Sequence, residues 1–512
     1  MSRNTSIHNE SEVIAMQISN ETMTSMNTGG KAKTEDKYTL PMPVKVRPFF
    51  HQNQAFDFVC GLFGLIPWDG VKSRGVMLAC EMGTGKSLIA IAVIGILYQL
   101  GLIESVVIVG PLSTLSVWEE QLSDFADYPY RLTILSGSTE KKKKTLRELP
   151  KDGLNIVVIN YESTWRMEVE LLEFSPNLVI ADEGHKIKEN RSKQSKALHS
   201  LGDRASYRLL LTGTPVTNKE IDIYSQYRFL NKNIFGTSFF RFRNAYFDMK
   251  GYGQHTPVFR EINRDEFLRK MHSIAFRITK EECLDLPPIR EQIRTIDLEP
   301  KARSLYAKVL GQSYAKLNEG EVTAANILTR LLRLSQIAGG FITDDDKVTT
   351  AVSRAKLDAL SDILDSAIEE DKKIVVMARF TAELDSITEM LEKKHIGYAV
   401  IRGGVKNRGE EIRRFQEDDD CLVFLGQISA AGLGITLTAA STMVFYSMNY
   451  SMSDFSQAQA RIHRASQKHS CDYIYLICRN TVDVKVLHAL RHKVDLAKML
   501  VDDYRKGLNP FA

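Results

Sequence analysis

Val76, Met77, Leu78 and Ala79 form a short apolar run that leads without a break into Cys80-Glu81-Met82-Gly83-Thr84-Gly85-Lys86-Ser87. An apolar stretch beginning Leu88-Ile89-Ala90-Ile91-Ala92 follows at once. That order constrains the chain to strand, loop and helix: the run suits a buried strand, the stretch suits a helix, and the glycines mark the turn between them. Gly83 and Gly85 let the backbone wrap closely around an oxyanion, whose charge is met by loop N–H groups at the positive end of the helix. Gly83, Thr84, Gly85 and Lys86 form the cradle. Lys86 supplies a point charge to the β- and γ-phosphates of ATP, and the Ser87 hydroxyl is placed to ligate Mg2+. Cys80 stands where the strict motif has glycine. A Gly-rich turn with a solvated lysine is the plain alternative, and the strand–loop–helix context favours the cradle.

The same alternation recurs in two blocks. Apolar runs lie at residues 76–79, 105–109, 156–159, 178–181 and 208–211, and again at 373–377, 398–401, 421–425, 443–446 and 473–478. Runs of this length, rich in Val, Ile and Leu and separated by helical patterns, suit strands covered on both faces, so each block reads as a parallel α/β sandwich. Ligands bind at the carboxyl ends of such strands, where the polar motifs sit. Residues 215–370 read mainly as helix, with an aromatic-rich, less regular part at 231–272. With 44% hydrophobic and 25% charged residues, 512 residues supply material for more than one core.

Other classes are excluded by what is missing. No stretch approaches the ~20 apolar residues of a membrane helix, and the N-terminus lacks a basic-then-apolar secretory pattern. The six cysteines are scattered without a CxxC pair, which argues against disulfides and zinc and for a reduced compartment. The expected location is the cytoplasm of a bacterium or phage-infected host, or the nucleus in a eukaryote. A net charge of +4 leaves phosphate binding to local clusters.

The run at 178–181 delivers Asp182-Glu183-Gly184-His185. A carboxylate at a buried strand end facing the cradle can hold magnesium (Asp182), and an adjacent one can orient and deprotonate the attacking water (Glu183). Taken singly, an acidic pair after a strand is an ordinary loop or cap. Its partnership with the cradle makes it informative. In the second block, Gln457-Ala458-Gln459-Ala460-Arg461-Ile462-His463-Arg464-Ala465-Ser466-Gln467 is read as helix, with Arg461 and Arg464 on one face. Arginines supplied to a γ-phosphoryl group from a second lobe contribute ~10³–10⁵ in rate. A basic surface helix is the plain alternative.

With these pieces placed, the chain resembles helicase superfamily two and, within it, the Swi/Snf-like ATPases, over about residues 40–505. Phe49-Phe50-His51-Gln52-Asn53-Gln54-Ala55 looks like the family's glutamine motif, which implies Gln52 as the reader of adenine. Gly110-Pro111-Leu112-Ser113-Thr114-Leu115 with Trp118-Glu119 resembles motif Ia, Asn160-Tyr161-Glu162 motif Ib, and Leu211-Thr212-Gly213-Thr214-Pro215 with Asn218 motif III. In the second block, residues 375–380 resemble motif IV, Arg402-Gly403-Gly404 the segment after it, Gly432-Leu433-Gly434-Ile435-Thr436-Leu437-Thr438 motif V, and residues 457–467 motif VI. Phe276-Arg277-Ile278-Thr279-Lys280-Glu281-Glu282-Cys283-Leu284-Asp285-Leu286-Pro287-Pro288 and Asn480-Thr481-Val482-Asp483 favour the Swi/Snf-like branch. Cys80, Gly184 and Ser466 depart from the family's usual Asp, Ala and Gly. No bromodomain, chromodomain or zinc-finger pattern is present, which is similar to the short stand-alone bacterial and phage members.

The resemblance implies an α/β fold of two RecA-like parallel-sheet lobes, a tandem P-loop NTPase with helical insertions. The expected layout is a flexible tail at 1–39, then an ATP-binding lobe at 40–290 with a helical insertion at about 231–275. A second lobe at 291–490 carries a helical insertion at about 300–355, and a helical segment at 491–512 closes the chain. It implies Gly434 at the nucleotide, and Ser113, Thr114, Arg402, Lys406, Thr436 and Thr438 on nucleic acid. Basic residues also gather at Lys186, Lys188, Arg191, Lys193 and Lys196 and at Arg408, Arg413 and Arg414, whereas Lys141, Lys142, Lys143 and Lys144 read as a solvated helix face. The implied activity is a DNA-stimulated ATPase translocating on double-stranded DNA, including forked or branched DNA, in replication, recombination or repair. The alternatives are a strand-separating DNA or RNA helicase of the same superfamily and a nucleotide-switched DNA-binding scaffold.

Overall fold

The computed structural model describes residues 40–213, 220–250, 256–318, 324–344, 348–405, 407–431 and 435–492. The expected tail, Thr214, Pro215 and Asn218 of the motif III segment, Lys406, Gly434 and the chain beyond His492 lie outside the described residues.

The apolar runs become strands because both their faces are covered. In the first block these are β1 (Gly75–Cys80), β2 (Ser105–Gly110), β3 (Arg131–Ile134), β4 (Asn155–Asn160), β5 (Leu178–Asp182) and β6 (Tyr207–Leu211). An antiparallel hairpin of β7 (Phe247–Lys250) and β8 (Thr256–Phe259) precedes β9 (Ala275–Ile278). The sheet is parallel throughout in the order β3-β4-β2-β5-β6-β1-β9. Every residue of β1 and β4 is buried. The helix Lys86–Gln99 is buried from Leu88 to Leu97, as expected of a helix apolar on all sides. Each of its large aliphatic side chains contributes about 1.5–3 kcal/mol by leaving water. Gly101, at φ +67°, donates its N–H to the Tyr98 carbonyl and ends the helix in the left-handed conformation that favours glycine.

The second sheet opens with β10 (Ile289–Ile296). After the small antiparallel pair β11 (Phe341–Thr343) and β12 (Thr349–Ala351) come β13 (Ile374–Ala378), β14 (Gly397–Ile401), β15 (Cys421–Gln427), β16 (Thr442–Phe445) and β17 (Cys471–Cys478). Its order is β10-β17-β16-β13-β15-β14, again all parallel. Among the described residues no helix is long and apolar enough to cross a membrane.

Several sequence expectations need correction. β3, β9 and β10 carry no long apolar run and escape a reading based on one, because each is an edge strand. β10 exposes its first five residues, and β3 buries none fully. Closing the first lobe at residue 290 cuts through β10, which belongs to the second sheet. Neither insertion is purely helical. The first holds the helices Lys232–Phe235, Phe239–Tyr246 and Arg264–His272 with the β7–β8 hairpin, and the second follows the helices Pro300–Asn318 and Ala324–Ala338 with β11–β12. Hairpin residues there alternate or lie exposed, so no apolar period marks them. The basic run at 141–144 is not wholly solvated. Lys142 is buried with its Nζ donating to Ser163 Oγ at 2.5 Å, and Lys143 pairs with Glu170 at 2.9 Å.

Candidate nucleotide site between two lobes

The loop after β1 takes the shape its glycines permit. Gly83 and Gly85 sit at φ +87° and +90°. A Cβ on Gly85 would come within 2.1 Å of Gln52 Nε2, so any side chain there would fill the cradle. Thr84, buried, donates its hydroxyl to the Glu81 carbonyl at 2.7 Å. The Thr84 carbonyl accepts from Gln52 Nε2 at 3.1 Å and from His51 Nε2 at 2.8 Å, which ties the helix Phe50–Phe63 to the loop. Gln52 is buried and also accepts from the Phe49 N–H at 2.9 Å, so its amide is spent on the loop and on its own helix start. Lys86 lies at the first position of its helix, and its Nζ donates to the Cys80 and Glu81 carbonyls at 2.8 and 3.3 Å. Ser87 follows, half-buried. Cys80 is a core residue whose thiol burial pushes up to about 12, against the charge of Lys86.

The acid pair ends β5. Asp182 Oδ2 accepts from Trp118 Nε1 at 3.1 Å, its Oδ1 from the Glu183 N–H at 3.0 Å, and its carbonyl from the Tyr161 hydroxyl at 2.8 Å. Burial, reinforced by the Glu183 charge, raises the Asp182 carboxyl to about 6, while Trp118 and Lys86 act against the rise. Burial pushes Glu183 the same way, but His185, Lys86 and Arg461 outweigh it and hold its carboxyl below the ordinary value. Glu183 adopts φ +52°, ψ +53°, a left-handed conformation uncommon for a residue with a Cβ. Its Oε2 is buried 3.3 Å from His185 Nδ1, a close pair without aligned hydrogen-bond geometry. Gly184 also has a local cause: a Cβ there would stand 2.2 Å from Leu210 Cγ, so Leu210 of β6 takes the space that alanine needs.

Arg461 and Arg464 come from the second sheet, but not on a helix. The helix Met452–Gln459 stops, and both arginines follow in a turn. Arg461 Nε donates to the Gln457 carbonyl at 2.7 Å and Arg464 Nε to the Ala460 carbonyl at 2.8 Å, capping acceptors that a continuing helix would use. Arg461 Nη1 also reaches the Ile435 carbonyl at 3.0 Å, and Arg464 Nη1 the Thr436 hydroxyl at 2.8 Å. Burial, then mutual repulsion, lowers Arg461 well below its ordinary value, with Glu183 opposing; burial lowers Arg464 to about 10. The Arg464 Cγ lies 3.5 Å from where a Gly83 Cβ would stand. The two lobes therefore meet at the loop.

The expected nucleic-acid residues scatter. Ser113 and Thr114 lie on the short turn Leu112–Thr114 after β2, and Thr114 is buried with its hydroxyl on the Pro111 carbonyl at 3.0 Å. Arg402 pairs with Asp385. Thr436 is held by Arg464, and Thr438 accepts from the Ser466 hydroxyl at 3.3 Å. Lys193 Nζ lies 4.4 Å and Arg166 Cζ 4.6 Å from the centroid of the Trp165 ring. Trp118, Tyr161, His51 and His185 lie inside quoted motifs, yet their contacts were not legible there, because spacing does not reveal partners across the sheet.

These residues fit a nucleoside triphosphate. Positions 83 and 85 take the left-handed backbone that favours glycine and a Cβ at 85 would strike Gln52, cations approach the cradle from both lobes, and Lys86 and Arg461 act on the Glu183 carboxylate. A phosphate loop met by arginines from a separate parallel sheet is the arrangement of the two-lobed helicase-like ATPases, and this chain is an ATP-hydrolysing enzyme of that class. Residues 11–339 match the SNF2-related domain, and residues 355–466 the helicase conserved C-terminal domain. The chain belongs to the SNF2-related family. An uncharacterized ATP-dependent helicase of Mycoplasma genitalium is 26% identical over 440 residues, which take in 84% of this chain but 40% of that protein's length. The DNA repair and recombination protein RAD54-like of Gallus gallus is 25% identical over 530 residues, 91% of this chain and 70% of that protein. The solved SWI2/SNF2 ATPase core of Sulfolobus solfataricus in complex with double-stranded DNA is 23% identical, with 88% of this chain and 92% of that chain covered and a TM-score of 0.44.

Proposed function

We propose that this chain is a DNA-stimulated ATPase that moves along double-stranded DNA and remodels DNA or DNA–protein complexes. The observation that carries the reading is the meeting of Arg461 and Arg464 from one lobe with the phosphate loop and Glu183 of the other. Catalysis then depends on how closely the lobes approach, so turnover and relative lobe movement share one event. The relative named for DNA repair and recombination supports DNA as the track and those processes as the setting.

In this reading Gly83, Thr84, Gly85 and Lys86 hold the phosphates, and Gln52, which donates to the Thr84 carbonyl, stands beside them to read the adenine. Ser87 and Asp182 would hold magnesium, which when bound neutralises phosphate charge. Glu183 is the base that takes a proton from the attacking water; its depressed carboxyl keeps it ionised for that task. Arg461 and Arg464 stabilise charge on the transferring phosphoryl group. Phosphate contacts from the motif Ia and motif V turns, from Arg402 and Lys406 and from the Lys186–Lys196 cluster grip the duplex without reading its sequence.

The test is ATP turnover of the full chain on duplex, single-stranded and forked DNA and on RNA, beside triplex- and strand-displacement assays. Duplex-stimulated turnover with triplex displacement, lost in K86A and E183Q, is the expected result. Normal turnover in either variant overturns the site. Strand separation without triplex displacement makes the chain a strand-separating helicase, and nucleotide binding without turnover makes it a switched scaffold.

A further inference from the structure

Lys280 is the first residue of the short helix Lys280–Cys283 that follows β9. Its main chain is fastened to the phosphate loop. The Lys280 N–H donates to Glu81 Oε2 at 2.9 Å, and the Glu81 N–H donates to the Ile278 carbonyl at 2.9 Å. Its side chain leaves that anchor and crosses to the other lobe, where Nζ donates to the His463 carbonyl at 3.0 Å. His463 is the residue immediately before Arg464. The Lys280 Cε and the Arg464 Cγ both lie 3.5 Å from the Cβ position of Gly83, so the two stems meet over that glycine. A return contact runs beside it, from His463 Nε2 to the Pro287 carbonyl at 3.0 Å.

Lys280 is 7% exposed, a deep position for an ammonium group. Around it stand Glu81, Lys86, Arg461, Arg464, His463, Cys283 and Cys471. Of the four charges that act on it most strongly, Glu81 is an acid and the other three are cations. An apolar side chain of similar length would fill this space at lower desolvation cost, so packing alone does not explain a lysine here. What only a long cation provides is a donor that spans from the loop to a carbonyl in the arginine turn.

We infer that Lys280 is a positioning residue, a buried tether that registers the arginine turn of the second lobe against the phosphate loop of the first. The inference rests on the proposed ATPase and deepens it by naming what sets the arginines at the right distance. Misplacement of a catalytic group by about 1 Å costs on the order of a hundredfold in rate. The ammonium itself is held near its titration point. Burial, then the neighbouring arginines and Lys86 against the pull of Glu81, lowers it to about 8. Above that pH the charge-assisted link weakens, whereas an arginine in its place stays charged.

The experiment compares full-length wild type, K280M and K280R. At saturating duplex DNA, K280M is expected to lose roughly ten- to a hundredfold in kcat. Its KM for ATP should stay within about threefold, since the Lys280 ammonium donates to the His463 carbonyl rather than to an atom of the loop. K280R should recover most of the rate and remove the decline in kcat above pH 8. A wild-type kcat in K280M, or losses in K280R equal to those in K280M with a matching fall in melting temperature, would overturn the tether. A spin-label pair with one probe on each lobe, read without nucleotide, keeps the inference testable should wild type prove inactive on ATP. In that case the ATPase reading falls, while a broader interlobe distance in K280M supports the tether and an unchanged distance overturns it.

Discussion

The two lobes present cations to the same place from opposite ends of helices. Lys86 stands at the first position of Lys86–Gln99, where the helix dipole is positive and a cation is unfavourable. Arg461 and Arg464 stand just past the end of Met452–Gln459, where the dipole is negative and orphan carbonyls await donors. The first lobe therefore holds its lysine against the local field, a tension that an incoming phosphate relieves. The second lobe uses its arginines to finish its own structure. The same charge thus serves as a ligand-binding group on one side and as a structural cap plus functional group on the other.

The sharpest way to break that comparison is to remove each cation and measure rate and stability together. R461A is expected to lose about 10³-fold or more in kcat and also about 1–3 kcal/mol of stability, because buried carbonyls lose their donor. K86A should lose turnover as completely yet melt at or slightly above the wild-type temperature, since a cation has left a helix N-terminus. Equal destabilisation in both variants would end the distinction.

A smaller effect tests how tightly the first lobe's acid turn is packed. G184A forces a Cβ into Leu210 and should cost about 1–3 kcal/mol in chemical denaturation. Trimming the neighbour in G184A/L210V should return part of it. Strictly additive losses would show that the contact does not govern the turn.

Smaller again is a pH effect confined to the second lobe's core. Glu383 accepts at Oε2 from the Arg379 and Phe380 N–H groups and from Ser447, while its Oε1 is buried without a hydrogen-bond partner among the described residues. Burial raises its carboxyl to about 7, with Ser447 and Lys356 acting against the rise. Between the unfolded value and about 7 the folded protein binds the extra proton, so stability from this group is full at low pH and is lost as pH rises through about 7. E383Q should melt a few degrees above wild type at pH 8 and show a flatter pH dependence. An identical pH profile in the two proteins would refute this.

The smallest expected effect concerns the track. K193A, which removes the cation over Trp165, should weaken duplex binding by a few-fold and reduce the salt slope by about one. An unchanged slope would place Lys193 off the DNA path.

Much of the fold could be read beforehand, and where the reading failed is instructive. Central strands such as β1 and β4 announce themselves, since burial on both faces demands unbroken apolar residues. Edge strands such as β10, with Arg290 and Glu291 exposed to water, carry no such demand and pass for other structure. Likewise Arg461 and Arg464 were legible as a pair, but not as side chains that end their own helix, because capping depends on which carbonyls lack partners.

The sequence by itself determined the repeating strand–helix plan, the cradle with its glycines, and the identity of the acids and cations that chemistry on a phosphate needs. These follow from local rules of periodicity, conformational freedom and charge. Only the tertiary structure decided that Lys280 reaches a carbonyl 183 positions away, that Leu210 claims the space beside Gly184, and that Trp118 steadies Asp182. Such contacts join residues apart in the chain, and burial and distance, which fix their energies, exist only once each sheet is assembled and the two lobes meet.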